Sequence, residues 1–405
     1  MPLPNESATL NAMRPRHAYV HVPFCRHRCG YCDFTLIAGR DDLIGRYLEA
    51  IRIELTRLEQ PLELDTLYLG GGTPSHLGPA GLERLFAVFA PWLLPVAGAE
   101  VTIEANPLDI TAEFVAAVRA CGATRVSLGS QSLAATTLAA LDRDHRPADV
   151  ARAVALIHEA GLAVSLDLMT AAPGQSLANV EADLAAAIAL APAHLSVYCL
   201  TWEPGTAFAA ARRRGDLAAV PEELERAMFE IAIDRLEAAG YEHYEVSNFA
   251  RPGHRSRHNL AYWDCRPWEA FGPGAARFDG RIRTTNHRST TTWMTRVLAG
   301  EDPTGDVDQM TAADAARERL IVGLRRRAGV ERAAFHDASG LDLDRLAGDR
   351  IRRWVAAGLA DDDGHAVRLT REGLLLSDSL WGELLCAEED GAISRSADCP
   401  RPGTG

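Results

Sequence analysis

The stretch VPFCRHRCGYCDF, residues 22–34, places three cysteines, Cys25, Cys29 and Cys32, within eight positions. Two residues past the third, where a Cys-x-Cys extension would put a fourth, stands Phe34. Thiolate clusters ligate zinc or iron–sulfur, and the ligand count separates the two. Structural zinc closes a tetrahedron with four protein ligands; Cys-x3-Cys-x2-Cys supplies three, so His21 or His27 would have to complete it. Three thiolates suit instead a [4Fe–4S] cluster with one iron open to an exogenous ligand, since thiolate ligation is the rule for such clusters. Gly30 permits the tight wrap that three ligands in eight residues require. Arg26 and Arg28, between the ligands, either offset the anionic thiolates or are solvated surface arginines.

The loop directly follows an apolar run, AYVHVPF (18–24), and that run is the first of a series. From Ala18 to about Phe249, short β-rich runs alternate with amphipathic Ala/Leu/Glu/Arg-rich stretches of helical period, the pattern of repeated βα units around a parallel sheet. Further strands are expected at TLYLG (66–70), VTIEAN (101–106), RVSLGS (125–130), AVSLDLM (163–169) and HLSVYCL (194–200). The expected fold class is therefore α/β, an open (β/α)6 partial TIM barrel, because six units instead of eight leave one side unclosed. The chemically interesting residues collect at strand C-termini, the face where such barrels build their sites: Cys25 onward, Gly70 to Thr73, Glu104 and Asn106, Gln131 and Asp167. The run Gly70–Gly72 matches neither the dinucleotide-binding spacing nor a Walker A loop. It is either a tight βα turn or a place where backbone approaches a ligand closely. Glu104 ends an otherwise apolar strand, and a buried carboxylate needs a partner: hydroxyls of a ligand, or an arginine such as Arg125.

At 405 residues and 47% hydrophobic the chain can bury a sizeable core. Residues 18–250 form the expected core domain, 1–17 an N-terminal extension, and 251–306 a connecting region rich in His, Trp and Gly with no clear period. Residues 307–386 return to helical pattern and end in a turn and a short strand, a winged-helix-like domain, and 387–405 is a tail with no apolar face, expected to be disordered. A net charge of −13 argues against nucleic acid as the main partner. No apolar run reaches membrane-spanning length and the start lacks a secretory signal, so the expected location is the cytoplasm, with peripheral membrane contact and oligomeric state left open. Cys121, Cys199, Cys265, Cys386 and Cys399 are scattered and read as small core or surface residues.

With these residues in place, the chain resembles the coproporphyrinogen III oxidase-like branch of the radical S-adenosylmethionine (SAM) superfamily. The resemblance rests on YVHVPFCRHRCGYCDF, YLGGGTP, IEANP, SLGSQS, LDLM followed by PGQS, LSVYCLTWEPGT and HNLAYW, and runs from about Ala18 to Leu385. It implies a [4Fe–4S] cluster on Cys25, Cys29 and Cys32, whose open iron chelates the amino and carboxylate groups of SAM. It also implies a SAM environment made by Tyr19, Tyr31, Gly71, Gly72, Thr73, Glu104, Gln131, Arg143 and Asp167. The family reads G-L-P-G-Q after the fifth strand where this chain has Ala171-Ala172-Pro173-Gly174-Gln175, and the spacing from Arg143 to Asp167 is one residue short. The oxidases of the branch carry a further cysteine in the slot of Phe34 and a longer N-terminal segment. HNLAYW, His258 to Trp263, instead matches the H-N-x-x-Y-W pattern of its heme-chaperone members, which implies His258 as a heme ligand and acceptor hemoproteins, such as those of respiration, as partners. Oxidative decarboxylation of coproporphyrinogen III, or a related radical SAM methyl transfer, are the alternatives.

Overall fold

A computed structural model describes residues 14–385. Most of the expected N-terminal extension, the 387–405 tail, Cys386 and Cys399 lie outside the described residues. The alternation read from residue 18 onward folds as six strands: β1 (His17–Val22), β2 (Leu62–Gly71), β3 (Leu93–Ala105), β4 (Arg125–Gln131), β5 (Ala163–Thr170) and β6 (His194–Cys199). Each pairs in parallel with the next. The crossovers carry helices α1 (Ile44–Leu55), α2 (Gly78–Phe89), α3 (Ala112–Ala120), α4 (Ala135–Ala140), α5 (Pro147–Glu159) and α6 (Leu177–Ala189). Local chemistry starts these helices where the sequence suggests: the Thr111 hydroxyl accepts from the Phe114 N–H, and Ser176 caps Asn179 reciprocally.

Successive strand residues point to opposite faces, and here the two faces differ in chemistry. Leu67, Leu69, Val101, Ile103, Val126, Leu128, Val164, Leu166, Leu195 and Val197 are all buried in one large apolar core with the helices. The alternate positions are Thr66, Tyr68, Thr102, Glu104, Ser127, Ser165, Asp167 and Ser196. Register brings these into adjacent columns, with Tyr68 opposite Thr102, Glu104 opposite Ser127, and Asp167 opposite Ser196. A sheet with helices on one face therefore offers a polar face on the other.

The strand order is linear, so the sheet is open, as the six-unit reading requires, but it has nine strands instead of six. Beyond β6 lie β7 (Glu242–Glu245) and β8 (Asn248–Ala250), the latter antiparallel to β6; at the opposite edge β9 (Glu269–Phe271) runs parallel to β1. The periodless region 251–306 thus completes the sheet beside its first strand. It also forms a small antiparallel sheet of β10 (Ala276–Phe278), β11 (Ile282–Asn286) and β12 (Thr304–Gln309). Glu54, at the end of α1, ties this region down. Its carboxylate accepts from the Gly272 N–H (2.8 Å), the Asn286 side-chain amide (2.6 Å) and the Trp293 indole (3.4 Å), all buried.

The chain divides into two compact units. The first comprises 14–243, Ser247–Asn259 and Arg266–Asp308. The second comprises Tyr244–Val246, Leu260–Cys265 and 309–385, and its own core gathers Leu320, Phe335, Ile351, Trp354 and Trp381. Helices Ala312–Leu324, Arg332–Ser339 and Leu343–Ala356 precede a hairpin of Ala360–Asp362 with Ala366–Leu369, which Val330–Glu331 extends to three strands, a winged-helix arrangement. Among the described residues no helix is long and apolar enough to cross a membrane.

Candidate functional site

The three cysteines follow β1 without a break. Phe24–Cys25 form a two-residue pairing with Ile37–Ala38, which closes the loop between them, and the Cys32 N–H donates to the Cys29 carbonyl (3.1 Å). Arg28 spans the loop's exit, its guanidinium donating to the carbonyls of Cys32, Phe34 and Leu36 at 2.9–3.3 Å. Arg26 pairs with Asp109. Neither arginine contacts a thiol; the cation that does is Arg143, whose Nη1 lies 3.3 Å from Cys29 Sγ while Nη2 donates to the Gly129 carbonyl. Gly30 has no left-handed backbone. A Cβ there would lie 2.3 Å from the Phe208 ring, and the Phe208 N–H donates to the Gly30 carbonyl. Close approach of Phe208, and not the hand of the wrap, is what demands glycine at this position.

Burial pushes the Cys25 thiol up to about 12 and raises Cys32 as well, so these sulfurs carry protons until a metal displaces them. The Thr73 hydroxyl, 3.0 Å from Cys25 Sγ, favours the thiolate. The zinc alternative lacks its fourth ligand. His21 is buried and neutral, held down to about 4 by burial; its Nε2 donates to the Thr35 carbonyl (2.6 Å) and its Nδ1 faces the Tyr19 hydroxyl (3.0 Å). His27 Nε2 lies 3.0 Å from the Asp142 carbonyl and 3.6 Å from Cys29 Sγ, so it neighbours one thiol of the three. Among the described residues no three His, Cys, Asp or Glu side chains converge on a single point as one ion would need, whereas a four-iron cluster bonds each thiolate to a different iron.

Each glycine of Gly70–Gly72 is required by a neighbour. A side chain on Gly70 would meet the Glu104 carboxylate at 2.9 Å, one on Gly71 the His21 ring at 2.4 Å, and one on Gly72 the backbone of Pro23–Phe24 at 2.8 Å. The Gly72 and Thr73 N–H groups donate to the Val22 and Phe24 carbonyls, and the Gly71 N–H to Glu104 Oε2 (3.1 Å). With its donors committed, what this segment can offer a ligand is carbonyl oxygen, the partner an ammonium group needs.

Glu104 accepts one hydrogen bond on each oxygen, from Tyr68 Oη (2.8 Å) and from Gly71 N. Arg125 is elsewhere, in a buried pair with Glu100 (3.2 Å). An ionised carboxylate has about four acceptor sites, so one remains on each oxygen, the complement of a vicinal diol. Burial pushes the Glu104 carboxyl up to about 7, with the Tyr68 hydroxyl opposing the rise and Asp167 adding to it. Asp167 itself is raised to about 6 by burial, against the hydroxyls of Ser196 and Ser127 and the charge of Arg143. Gln131 ends β4 with a left-handed φ of 59°, a strained setting for a residue with a Cβ. Tyr19 stacks on Tyr68, and Tyr31 meets the Phe208 ring edge-on. Cys25, Thr73, Glu104 and Gln131 lie at or just beyond the C-terminal ends of their strands, whereas Asp167 sits within β5, three residues before its end.

His258 lies behind Tyr68. It is 2% exposed, its backbone N–H donates to Glu100, and its Nδ1 lies 2.8 Å from the Thr66 hydroxyl, which also meets His17. Its ring stacks on Tyr68 at 5.1 Å between centroids. As placed, the imidazole gives an iron no approach from solvent, and burial holds its pKa down to about 3. Two further contributors escaped the sequence reading. Tyr68 lay unremarked in an apolar run, although Thr66, Tyr68 and Gly70 alternate with Leu67 and Leu69. Gly272, whose absent Cβ leaves room for the His21 carbonyl at 2.5 Å, backs the cysteine loop from a region with no periodic signal.

Residues 19–187 match the radical SAM superfamily and residues 310–376 the HemN C-terminal domain. The chain is similar to the heme chaperone HemW of Mycobacterium tuberculosis H37Rv, 39% identical over 382 residues that cover 92% of this chain and 95% of that one. It is similar to those of Bacillus subtilis and Escherichia coli, each 34% identical over 91–92% of this chain and 99% of theirs. The crystal structure of the E. coli coproporphyrinogen III oxidase HemN superposes with a TM-score of 0.81 at 22% identity, covering 92% of this chain and 90% of that one; that likeness concerns the fold. A three-cysteine loop on an open parallel sheet, followed by a HemN-type C-terminal domain, and identity of this extent along nearly the whole of both chains lead to one conclusion: the chain belongs to the HemW family of the radical SAM superfamily.

Proposed function

We propose that this protein is a heme chaperone that carries a [4Fe–4S] cluster on Cys25, Cys29 and Cys32 together with SAM, binds heme and passes it to acceptor hemoproteins. The observation that carries this reading is the near-full-length likeness to HemW chains. The cluster, when bound, supplies an open iron for the amino and carboxylate groups of SAM and a source of single electrons. The chain's own residues do the rest. Thr73 and Arg143 steady the Cys25 and Cys29 thiolates, carbonyls of the Gly70–Gly72 run take the ammonium, and Glu104 takes the ribose diol. Tyr19, Tyr31, Gln131 and Asp167 complete the polar lining. Heme is held largely through apolar area.

The second reading, coproporphyrinogen III oxidation, draws on the HemN fold. Against it stands Phe34, 58% exposed in the slot where a further cysteine would be needed. The two are separated on one sample of anaerobically reconstituted protein. Heme titration is expected to give a Soret band, and incubation of the reduced protein with coproporphyrinogen III and SAM no vinyl product. Vinyl product with no heme binding would replace this reading with the oxidase.

A further inference from the structure

Glu104 is not set by its own strand alone. Its Oε1 is held by the Tyr68 hydroxyl at 2.8 Å, and Tyr68 in turn neighbours two rings, Tyr19 at 6.2 Å and 27° and His258 at 5.1 Å and 25°. His258 has little freedom. Its backbone N–H is fixed by Glu100 (3.1 Å), its ring by Thr66 (2.8 Å), and the segment before it by Arg125, which donates to the His254 carbonyl (2.9 Å) while paired with Glu100. Thr66, Glu100, Arg125 and His258 are buried, and Tyr19, Tyr68 and Glu104 are half-buried. The contacts run without a gap from the start of the HNLAYW motif to the carboxylate at the rim of the sheet.

We infer that His258 and Tyr68 are positioning residues for the SAM pocket: the imidazole fixes the plane of the Tyr68 ring, and the Tyr68 hydroxyl fixes the orientation in which the Glu104 carboxylate meets a ribose diol. This rests on the reading of Glu104 as the ribose carboxylate. A carboxylate with one oxygen released would rotate about its terminal bond, and it must be re-ordered each time the diol binds. Tyr68 also satisfies one acceptor site of a charge that burial penalises. The inference gives the histidine of HNLAYW a task that needs no exposure to solvent, which matches its 2% exposure. It makes the SAM site sensitive to the segment around residue 258, almost two hundred positions along the chain from Tyr68.

The test is SAM affinity, measured by anoxic calorimetry on cluster-loaded protein with iron content checked for each variant. Tyr68→Phe keeps the stack and loses the hydroxyl, and is expected to weaken SAM roughly 5- to 20-fold, near the low end for one hydrogen bond to a charged group because Tyr68 acts through Glu104 and not on SAM itself. His258→Ala is expected to weaken SAM roughly 3- to 10-fold in the native background and less than 2-fold when Tyr68 is already Phe, because the two act in series. His258→Phe, which restores a ring against Tyr68 and serves as the test if the alanine variant fails to fold, is expected to return SAM affinity to within about 2-fold of the parent. Parent-like affinity in Tyr68→Phe, or equal losses from the His258 change in both backgrounds, would overturn the relay. Glu104→Ala separates the two levels: if SAM affinity is unchanged there, the pocket assignment itself is wrong, whereas a large loss there with none in Tyr68→Phe removes the relay alone.

Discussion

Glu54 is a carboxylate that the fold prefers protonated, and the consequence can be measured. It is 5% exposed and surrounded by donors from Gly272, Asn286 and Trp293, yet burial outweighs them and pushes its carboxyl from 4.5 up to about 7. Between those two values the folded chain holds a proton that the unfolded chain has released, so stability falls as pH rises through this window. The contribution is fully present below pH 4.5 and lost above 7. Linkage gives a loss of about 2.5 kcal/mol between pH 5 and pH 8. Glu54→Gln carries no titrating proton there, and its amide meets the Asn286 amide with a mismatch that does not vary with pH. The difference in stability between variant and parent is therefore expected to move by about 2.5 kcal/mol in the variant's favour from pH 5 to pH 8. For a unit of roughly 300 residues this is a relative shift in Tm of about 4 °C. Thermal unfolding at pH 5, 6, 7 and 8, followed by circular dichroism under anoxic conditions, reads it directly. Parallel Tm curves for the two proteins would refute the reasoning, since every other titrating group is common to both.

Cys29→Ser is expected to reduce the iron content of anaerobically purified protein from about four per chain to near zero; stoichiometric zinc without iron in the parent, made in iron-replete anoxic culture, would contradict the cluster assignment. Ala171, where the family has glycine, adopts a left-handed φ of 60° in a buried setting. Ala171→Gly is accordingly expected to raise stability by about 0.5–1 kcal/mol, and an unchanged or lower denaturation midpoint would show the backbone to be unstrained there. SAM affinity is expected to fall as pH drops below about 7, because Glu104 accepts both diol hydroxyls only when ionised; the fall approaches tenfold per pH unit, and an equally steep decline in Glu104→Gln would assign the effect to another group.

The six core strands were legible because each is a short β-rich run between amphipathic helices, a pattern carried by neighbouring residues. The cysteine loop was legible for the same reason: its information is local. What the sequence concealed is what depends on distant partners. Gly30 reads as a residue for a tight turn, but its necessity comes from Phe208, which arrives after β6. Strand β9 is three residues long and has no period of its own; it exists because Glu269, Ala270 and Phe271 find register with Ala18, Tyr19 and Val20. The HNLAYW pattern identifies a family, but a pattern of residue types does not say whether its histidine faces solvent or a tyrosine ring. The departure at Ala171 was visible in sequence, and its physical meaning, a left-handed backbone without glycine, needed the fold.

The parallel pairing of β9 with β1 also sets a clock on biosynthesis. The strand that launches the cysteine loop lacks one of its two hydrogen-bonding neighbours until a segment about 250 residues downstream has been made. At about 5–20 residues per second this is an interval of roughly 12–50 s. Through that interval Gly272 is not yet behind His21, and Cys25, Cys29 and Cys32 sit on a nascent chain whose supporting wall has not been translated. The strand that leads into the cysteine loop therefore completes its pairing only near the end of synthesis of the first unit.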